Sequence, residues 1–405
     1  MKCGLLGRHL GHSYSPQIHA YLGDYTYKLY EKEPDEVGFF LKNGDFSGIN
    51  VTIPYKKDVL PFLDEVSPAA QKLGAVNTIV RRNGKLVGHN TDYYGFLYML
   101  KASGLTVCGK KVLVLGSGGA SNTVVAVLRE QGAQVIVISR SGDNNYTNLH
   151  LHSDTAAIVN ATPVGMYPNP GVSPLSLDLF PHLEGVLDLI YNPARTKLLL
   201  EAEQRGLIAM NGLLMLVAQA KEAAEWFLNQ SICESVISEI HTRLRRQMEN
   251  IILIGMPGCG KSTVGALLAE ALQKHFADAD SALVADAGQS IPDIFAQRGE
   301  AVFRELETQT LAKLAMRSGM VIATGGGCVT KEENYPLLHQ NGTIFWLKRA
   351  LDQLPTEGRP LSQRNRLEEM WQIRRPLYSR FADMEINNEG TPEETVAAIL
   401  KELER

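Results

Sequence analysis

Runs of four or five apolar residues alternate along almost the whole chain with longer, amphipathic stretches of helix length. Short apolar runs suit strands buried on both faces and the longer stretches suit helices that cover them, so the alternation predicts α/β domains with largely parallel sheets. Lys111–Leu115 and Gln134–Ile138 read as strands joined by a helical stretch from Ser121 to Gln131, and a second such series opens at Ile251–Ile254. Between the two series, Glu234 to Glu249 reads as one charged helix ending in Arg243-Leu244-Arg245-Arg246-Gln247, a solvated linker that puts the main boundary near residue 248. No repeat of fixed period is visible and the halves carry different motifs, so the chain reads as a fusion of unlike units.

Composition narrows the class. The chain has 405 residues, 44% of them hydrophobic and 21% charged, which exceeds one ordinary core at roughly 100–200 residues per domain. The net charge is −4, with acidic and basic residues mixed along the chain, so no electrostatic footprint for a nucleic-acid backbone exists and small-molecule substrates are expected. The five cysteines, Cys3, Cys108, Cys233, Cys259 and Cys328, are odd in number and widely spaced, which suggests neither a disulfide framework nor a zinc site and fits a reducing cytoplasm. The opening Met1-Lys2-Cys3-Gly4-Leu5-Leu6-Gly7 reads as too short and Gly-broken for a signal-peptide core, and no apolar run approaches the ~18 residues of a membrane span. A soluble, cytoplasmic protein is expected, and a homo-oligomer is left open.

Candidate chemistry in the N-terminal half begins with Gly116-Ser117-Gly118-Gly119-Ala120-Ser121, placed after the Lys111–Leu115 strand and before a helix. Glycines there allow close backbone approach, and a helix N-terminus offers N–H groups and a positive dipole end to a pyrophosphate. Polar groups recur upstream where a small hydroxylated substrate needs partners: His12-Ser13-Tyr14-Ser15-Pro16, Asn50-Val51-Thr52-Ile53-Pro54-Tyr55-Lys56, Gly74-Ala75-Val76-Asn77-Thr78 and His89-Asn90-Thr91-Asp92. Downstream lie Asn160-Ala161-Thr162-Pro163, Asp188-Leu189-Ile190-Tyr191-Asn192-Pro193 and Gly212-Leu213-Leu214-Met215-Leu216-Val217-Ala218-Gln219. This ordered set closely resembles the shikimate dehydrogenase family over nearly all of residues 1–245. The resemblance implies that Ser13, Ser15, Asn50, Thr52, Asn77, Asp92 and Gln219 bind shikimate and that Lys56 and Asp92 form the catalytic pair. It also implies that Gly116, Gly118, Gly119, Ala120, Ser139, Arg140, Ser141, Tyr191 and Met215 hold NADP(H). A lysine poised by a carboxylate can protonate a nascent alkoxide or stabilise its charge, and residue types leave both roles open. One departure stands out: after Ser139-Arg140-Ser141 the crossover helix is trimmed or lost.

In the C-terminal half, Gly255-Met256-Pro257-Gly258-Cys259-Gly260-Lys261-Ser262-Thr263 follows the Ile251–Ile254 strand. That is a complete P-loop, whose backbone cradles phosphates, whose lysine reaches the β/γ oxygens and whose Ser hydroxyl joins a Mg²⁺ shell. It names ATP as donor and leaves the acceptor to the motifs Phe276-Ala277-Asp278-Ala279-Asp280, Gly299-Glu300-Ala301-Val302-Phe303-Arg304, Gly325-Gly326-Gly327, Arg359-Pro360-Leu361 and Arg374-Arg375-Pro376-Leu377-Tyr378. The series resembles the shikimate kinase family over residues 250–405. The resemblance implies that Gly258, Cys259, Gly260, Lys261, Ser262 and Thr263 bind ATP, with Ser262 and Asp278 as the Mg²⁺ site. Asp280 would engage the acceptor hydroxyl, Arg304 and Arg374 would clamp the carboxylate, Gly325, Gly326 and Gly327 would approach the ring, and Arg359 would arrive from a lid.

Together the two resemblances imply an α/β chain: a substrate-binding domain over 1–105 with a return helix near 213–245, a Rossmann-type NADP domain over 106–212, and a P-loop kinase domain with a parallel sheet over 250–405. A metabolite sensor without turnover, and a quinate/shikimate dehydrogenase beside a kinase of another sugar acid, are the alternatives. The presence of Lys56, Asp92, Lys261 and Asp280 argues against the sensor.

Overall fold

A computed structural model describes residues 1–11, 13–354 and 364–404. The chain divides into one compact unit of Met1–Tyr191 with Thr196–Leu244 and a second of Asn192–Arg195 with Arg245–Arg405.

The first unit begins with β1 (Lys2–Gly7), α1 (Ser15–Leu22), β2 (Thr26–Glu31), α2 (Pro34–Asn43), β3 (Gly48–Val51), β4 (Glu65–Val66), α3 (Pro68–Leu73), β5 (Thr78–Arg82), β6 (Lys85–His89) and α4 (Asp92–Ser103). Its sheet has the order β2-β1-β3-β5-β6-β4. β1 pairs in parallel with β2 and β3, but β5 is antiparallel to both β3 and β6. That departs from the parallel expectation for a local reason: Asn83 and Gly84 join β5 to β6, both with positive φ, and an Asn-Gly pair in that conformation makes the tight hairpin turn whose twist suits antiparallel strands.

A second sheet follows, with β7 (Lys111–Leu115), α5 (Gly119–Glu130), β8 (Gln134–Ile138), β9 (Ala157–Asn160), β10 (Gly185–Asp188), α6 (Lys197–Gln204) and β11 (Ile208–Met210). Its order is β11-β10-β9-β7-β8, all parallel. From β7 the chain moves one way to β8 and then back across to β9, and such a reversal opens a crevice at the strand ends where ligands bind. No α-helix follows β8. A single 3-10 turn at Leu149–His152 takes its place, and the loop before it is stitched by amides: Asn145 Nδ2 donates to Gly142 O, and Asn148 Nδ2 to Asp143 O.

The return helix α7 (Leu213–Leu228) is followed by α8 (Ser235–Met248). Ile237, Ile240 and Leu244 recur at helical spacing and are buried, so α8 is not the solvated linker that its charge suggests. Its C-terminus is held by Lys274, whose ammonium donates to the carbonyls of Arg246, Gln247 and Glu249 at 2.7, 3.1 and 2.6 Å; cations cap helix C-termini because the last carbonyls lack partners.

The second unit runs β12 (Asn250–Ile254), α9 (Lys261–Leu272), β13 (His275–Asp278), α10 (Ala279–Ala287), α11 (Ile291–Ala315), β14 (Met320–Ala323), α12 (Asn334–His339), β15 (Gly342–Lys348), α13 (Arg364–Phe381), β16 (Met384–Asn387) and α14 (Pro392–Glu404). The sheet is parallel throughout, in the order β13-β14-β12-β15-β16. β12 is buried along its full length at the centre, which aims the P-loop at the C-terminal edge of the sheet.

Candidate active sites

In the first unit, the β5–β6 register sets Thr78 opposite His89, which brings the Asn77-Thr78 and Asn90-Thr91-Asp92 segments together. Asn77 Oδ1 accepts from the Thr91 backbone N–H at 2.7 Å, and its Nδ2 donates to Thr91 Oγ1 at 3.1 Å and to Gln219 Oε1 at 3.5 Å. Asn50 joins through Thr78, donating from Nδ2 to Thr78 Oγ1 at 3.0 Å. Gln219 reaches this cluster because α4 and α7 approach closely at Gly95, where a Cβ would meet Met215 O at 2.7 Å and Gln219 Cβ at 2.8 Å. Ser13 Oγ accepts from Ser15 N–H at 3.2 Å at the start of α1, and Thr52 is half-buried just beyond β3. Lys56 Nζ donates to Asp92 Oδ2 at 2.5 Å, with the side chains 22% and 13% exposed. A pair so shielded holds the Lys56 side chain in place beside the polar cluster, within reach of a substrate oxygen. His12 lies outside the described residues.

The crevice of the second sheet lies alongside. Gly116 ends β7 with φ 103°, and Ser121 Oγ closes the turn on Gly116 O at 2.6 Å. α5 starts at Gly119, and open space surrounds the positions where side chains of Gly118 and Gly119 would stand. With Ala120 following, this fits a pyrophosphate drawn to bare backbone N–H groups at a helix N-terminus. Ser139, the exposed Arg140 and Ser141 follow the end of β8. The Tyr191 ring stands edge-on to Tyr14 at 6.2 Å, and burial pushes its phenol pKa up. Met215 is mostly core: it is 9% exposed and packs with Phe96, Met99 and Leu187. Asp188 is buried, its carboxyl pushed up to about 6 by that burial, and it accepts from Asn160, Ile190 and Thr196. Those bonds tie the ends of β9 and β10 together beneath Tyr191.

The second unit holds a cleft of about 520 Å³ lined by Gly258, Gly260, Lys261, Ser262, Thr263, Asp278, Asp280, Arg304, Gly325, Gly326, Gly327 and Arg374. Cys259 does not line it; its thiol is fully buried. Lys261 Nζ donates to Gly255 O and Met256 O at 2.9 and 3.0 Å. Ser262 Oγ donates to Asp278 Oδ2 at 2.5 Å, so two oxygens meet at one point, the donor type a hard divalent cation takes. The other Asp278 oxygen caps α10 through Ser281 N–H at 3.0 Å. α11 breaks at Gly299 (φ 79°, ψ 171°) before the turn that carries Arg304. Arg304 pairs with Glu307 at 2.8 Å and Glu300 at 3.2 Å, and Arg374 Nη1 donates to Gly326 O at 3.1 Å. The glycines let groups converge: a Cβ on Gly325 would meet Glu307 Oε1 and Asp280 Oδ1, one on Gly326 the Pro257 ring, and one on Gly327 the Arg304 guanidinium. Arg359 and most of the lid lie outside the described residues.

Residues 5–79 match the family described as Shikimate dehydrogenase substrate binding domain. The chain is 35% identical over 264 residues to shikimate dehydrogenase (NADP(+)) of Clostridium perfringens, covering 60% of this chain and 97% of that protein. It is 38% identical over 251 residues to the Carboxydothermus hydrogenoformans protein of the same description, covering 55% and 89%. The chain belongs to the shikimate dehydrogenase family. The Thermus thermophilus shikimate 5-dehydrogenase solved with NADP(H) and shikimate is similar as well, at 35% identity and a TM-score of 0.56, with 60% of this chain and 99% of that one covered. Residues 257–404 match the family described as Shikimate kinase. With both domains in one chain, it is a bifunctional shikimate-pathway enzyme.

Several residues of the dehydrogenase and the kinase take roles that the motifs do not assign them. Thr78 and Thr91 are fully buried links between Asn50, Asn77 and Gln219. Glu307 is 2% exposed, its carboxyl pKa raised by burial against the pull of Arg304, and Glu307 Oε1 has no hydrogen-bond partner. A buried carboxylate oxygen left open toward a cleft fits an incoming donor such as a ring hydroxyl. Its spacing of three from Arg304 on a helix was the available clue. Asn388 donates to Cys259 O and is itself oriented by Thr395 at 2.6 Å, pinning the P-loop tip. Among the described residues no helix is long and apolar enough to cross a membrane.

Proposed function

We propose that the first unit reduces 3-dehydroshikimate to shikimate with NADPH and the second phosphorylates shikimate with ATP and Mg²⁺, so that one product is the next substrate. The observation that carries this reading is convergence: groups scattered over the sequence meet at one paired Lys56–Asp92 centre in the dehydrogenase and in one cleft of the kinase.

In the dehydrogenase, Ser13, Ser15, Asn50, Thr52, Asn77 and Gln219 hold the hydroxyls and carboxylate of the ring. The Gly116–Ala120 turn would hold the pyrophosphate of NADPH and Tyr191 would line the nicotinamide side of the crevice, and the bound cofactor would supply hydride for the ketone carbon. Lys56 faces the ketone oxygen, where its ammonium gives up the proton that completes the alcohol while Asp92 keeps it oriented. In the kinase, Asp280 takes the proton of the attacking hydroxyl, Arg304 and Arg374 fix the carboxylate by charge-assisted bonds, and Lys261 with Arg359 neutralises the phosphoryl oxygens. Ser262 and Asp278 would hold Mg²⁺, which would neutralise charge on the phosphates. The domains divide at 1–105 with 213–245, 106–212 and 250–405.

The test is dissection of the full chain. Lys56→Ala is expected to abolish NADPH oxidation and leave shikimate-dependent ADP formation intact, and Lys261→Ala the reverse. Loss of both activities in a folded single variant would overturn the assignment of separate sites.

A further inference from the structure

Behind the substrate cluster of the dehydrogenase lies a residue that no motif marks. Tyr27, on the edge strand β2, donates its hydroxyl to Asn50 Oδ1 at 2.7 Å. Its ring is clamped: His19, 1% exposed, stacks on it at 4.0 Å with an interplanar angle of 11°, and Tyr25 OH fixes His19 Nδ1 at 2.7 Å. The phenol therefore has one direction in which to point.

An amide side chain presents oxygen or NH₂ depending on a half-turn, and only its partners decide which. Asn50 has a donor on its oxygen, from Tyr27, and acceptors on its nitrogen, Thr78 Oγ1 at 3.0 Å and Asn77 O at 3.4 Å. The Asn77 carbonyl can only accept, so it sets the Asn50 nitrogen on its own side and leaves Oδ1 facing the Tyr27 hydroxyl. Asn50 is 6% exposed, and in this orientation the oxygen engaged by Tyr27 is the acceptor it presents to a ligand.

We propose that Tyr27 is a positioning residue for the substrate. Its hydroxyl holds the Asn50 amide in place with Oδ1 as an acceptor for a ring hydroxyl of shikimate. The inference rests on the reading that Asn50 binds shikimate. Tyr27→Phe keeps the ring stack and removes only the hydroxyl, so a purely structural role would leave substrate affinity alone.

The experiment measures shikimate oxidation by NADP⁺ in the full chain for Tyr27→Phe, Asn50→Ala and the double variant, with circular dichroism and thermal melting as the folding control. Tyr27→Phe is expected to raise KM for shikimate roughly three- to tenfold, the worth of one net hydrogen bond. KM for NADP⁺ and kcat stay within about twofold, because the hydroxyl lies behind the ring site rather than at the reacting carbon. The double variant should show less than the product of the two single effects, the mark of coupled residues. Thr78→Val, which removes another of the Asn50 partners, should give the same KM signature if Tyr27→Phe fails to fold. An unchanged KM in Tyr27→Phe while Asn50→Ala raises it, or factors that multiply, would overturn the role of Tyr27. An unchanged KM in Asn50→Ala would overturn the site reading beneath it.

Discussion

Gly327→Ala separates shikimate recognition from nucleotide recognition in the kinase. A Cβ at Gly327 would stand 2.6 Å from Arg304 Cζ and closer still to both Nη atoms, whereas non-bonded heavy atoms settle at about 3.5–4.0 Å. The guanidinium must retreat by about 1 Å. It is now held by Glu307 at 2.8 Å and Glu300 at 3.2 Å, and such a shift breaks or misaligns the shorter bond. Because the displaced atoms are the far end of a long side chain, the fold itself should lose only about 1 kcal/mol. Recognition of the carboxylate should lose one charge-assisted bond, about 1.5–3 kcal/mol, or roughly ten- to a hundredfold in KM for shikimate. The assay is steady-state ADP formation with shikimate and ATP varied separately. Gly326→Ala serves as the contrast, since its Cβ would press on the Pro257 ring at 2.6 Å, in the P-loop, and KM for ATP should suffer instead. Equal losses for both substrates in Gly327→Ala, or no change for shikimate, would refute the assignment of Arg304 to the carboxylate.

Three further outcomes follow from the dehydrogenase. Burial holds the His19 pKa down at about 3, below its ordinary 6.5, so the stability it contributes is present above pH 6.5 and is lost as pH falls toward 3; between pH 6.5 and 5 this amounts to about 2 kcal/mol. Urea unfolding of His19→Phe, which keeps the stack, should lack that portion of the acid sensitivity, and identical slopes in parent and variant would disprove it. Gly95→Ala should destabilise the dehydrogenase by about 1–3 kcal/mol through overpacking against the α7 backbone, with a rise in KM for shikimate as Gln219 is displaced; unchanged melting would show that α4 and α7 can separate freely. Arg140→Ala should lower the NADP over NAD preference in kcat/KM by roughly tenfold if the guanidinium reads the 2′-phosphate, and an unchanged ratio would show that an exposed arginine at this position is screened to no effect.

Motif chemistry was legible wherever a glycine, proline or hydroxyl run marks a strand end, because those residues have few other reasons to cluster there. The lost crossover helix after Ser141 was legible from the polar Gly142–Asn148 stretch alone. The β5–β6 hairpin was also written in the sequence, as Asn83-Gly84 between two strand-length segments, but the alternating helix and strand pattern drew the eye to parallel pairing. For α8, charge masked the stripe of Ile237, Ile240 and Leu244. Tyr27 and Gly95 were not legible, and Thr78 and Glu307 showed only as a motif residue and as an i+3 neighbour of Arg304, since each acquires its role from a neighbour distant in sequence or across a helix turn. A phenol on an edge strand or a glycine in a helix is ordinary until Asn50 or Gln219 is placed against it.

The central claim, two consecutive reactions on one chain, is tested most directly by supplying purified protein with 3-dehydroshikimate, NADPH, ATP and Mg²⁺ and following NADPH loss and ADP formation together. Both signals should appear, ADP formation should begin only after NADPH oxidation and require NADPH, and at completion the two should be equal. NADPH oxidation without ADP formation, ADP formation independent of NADPH, or neither signal from folded protein would contradict it.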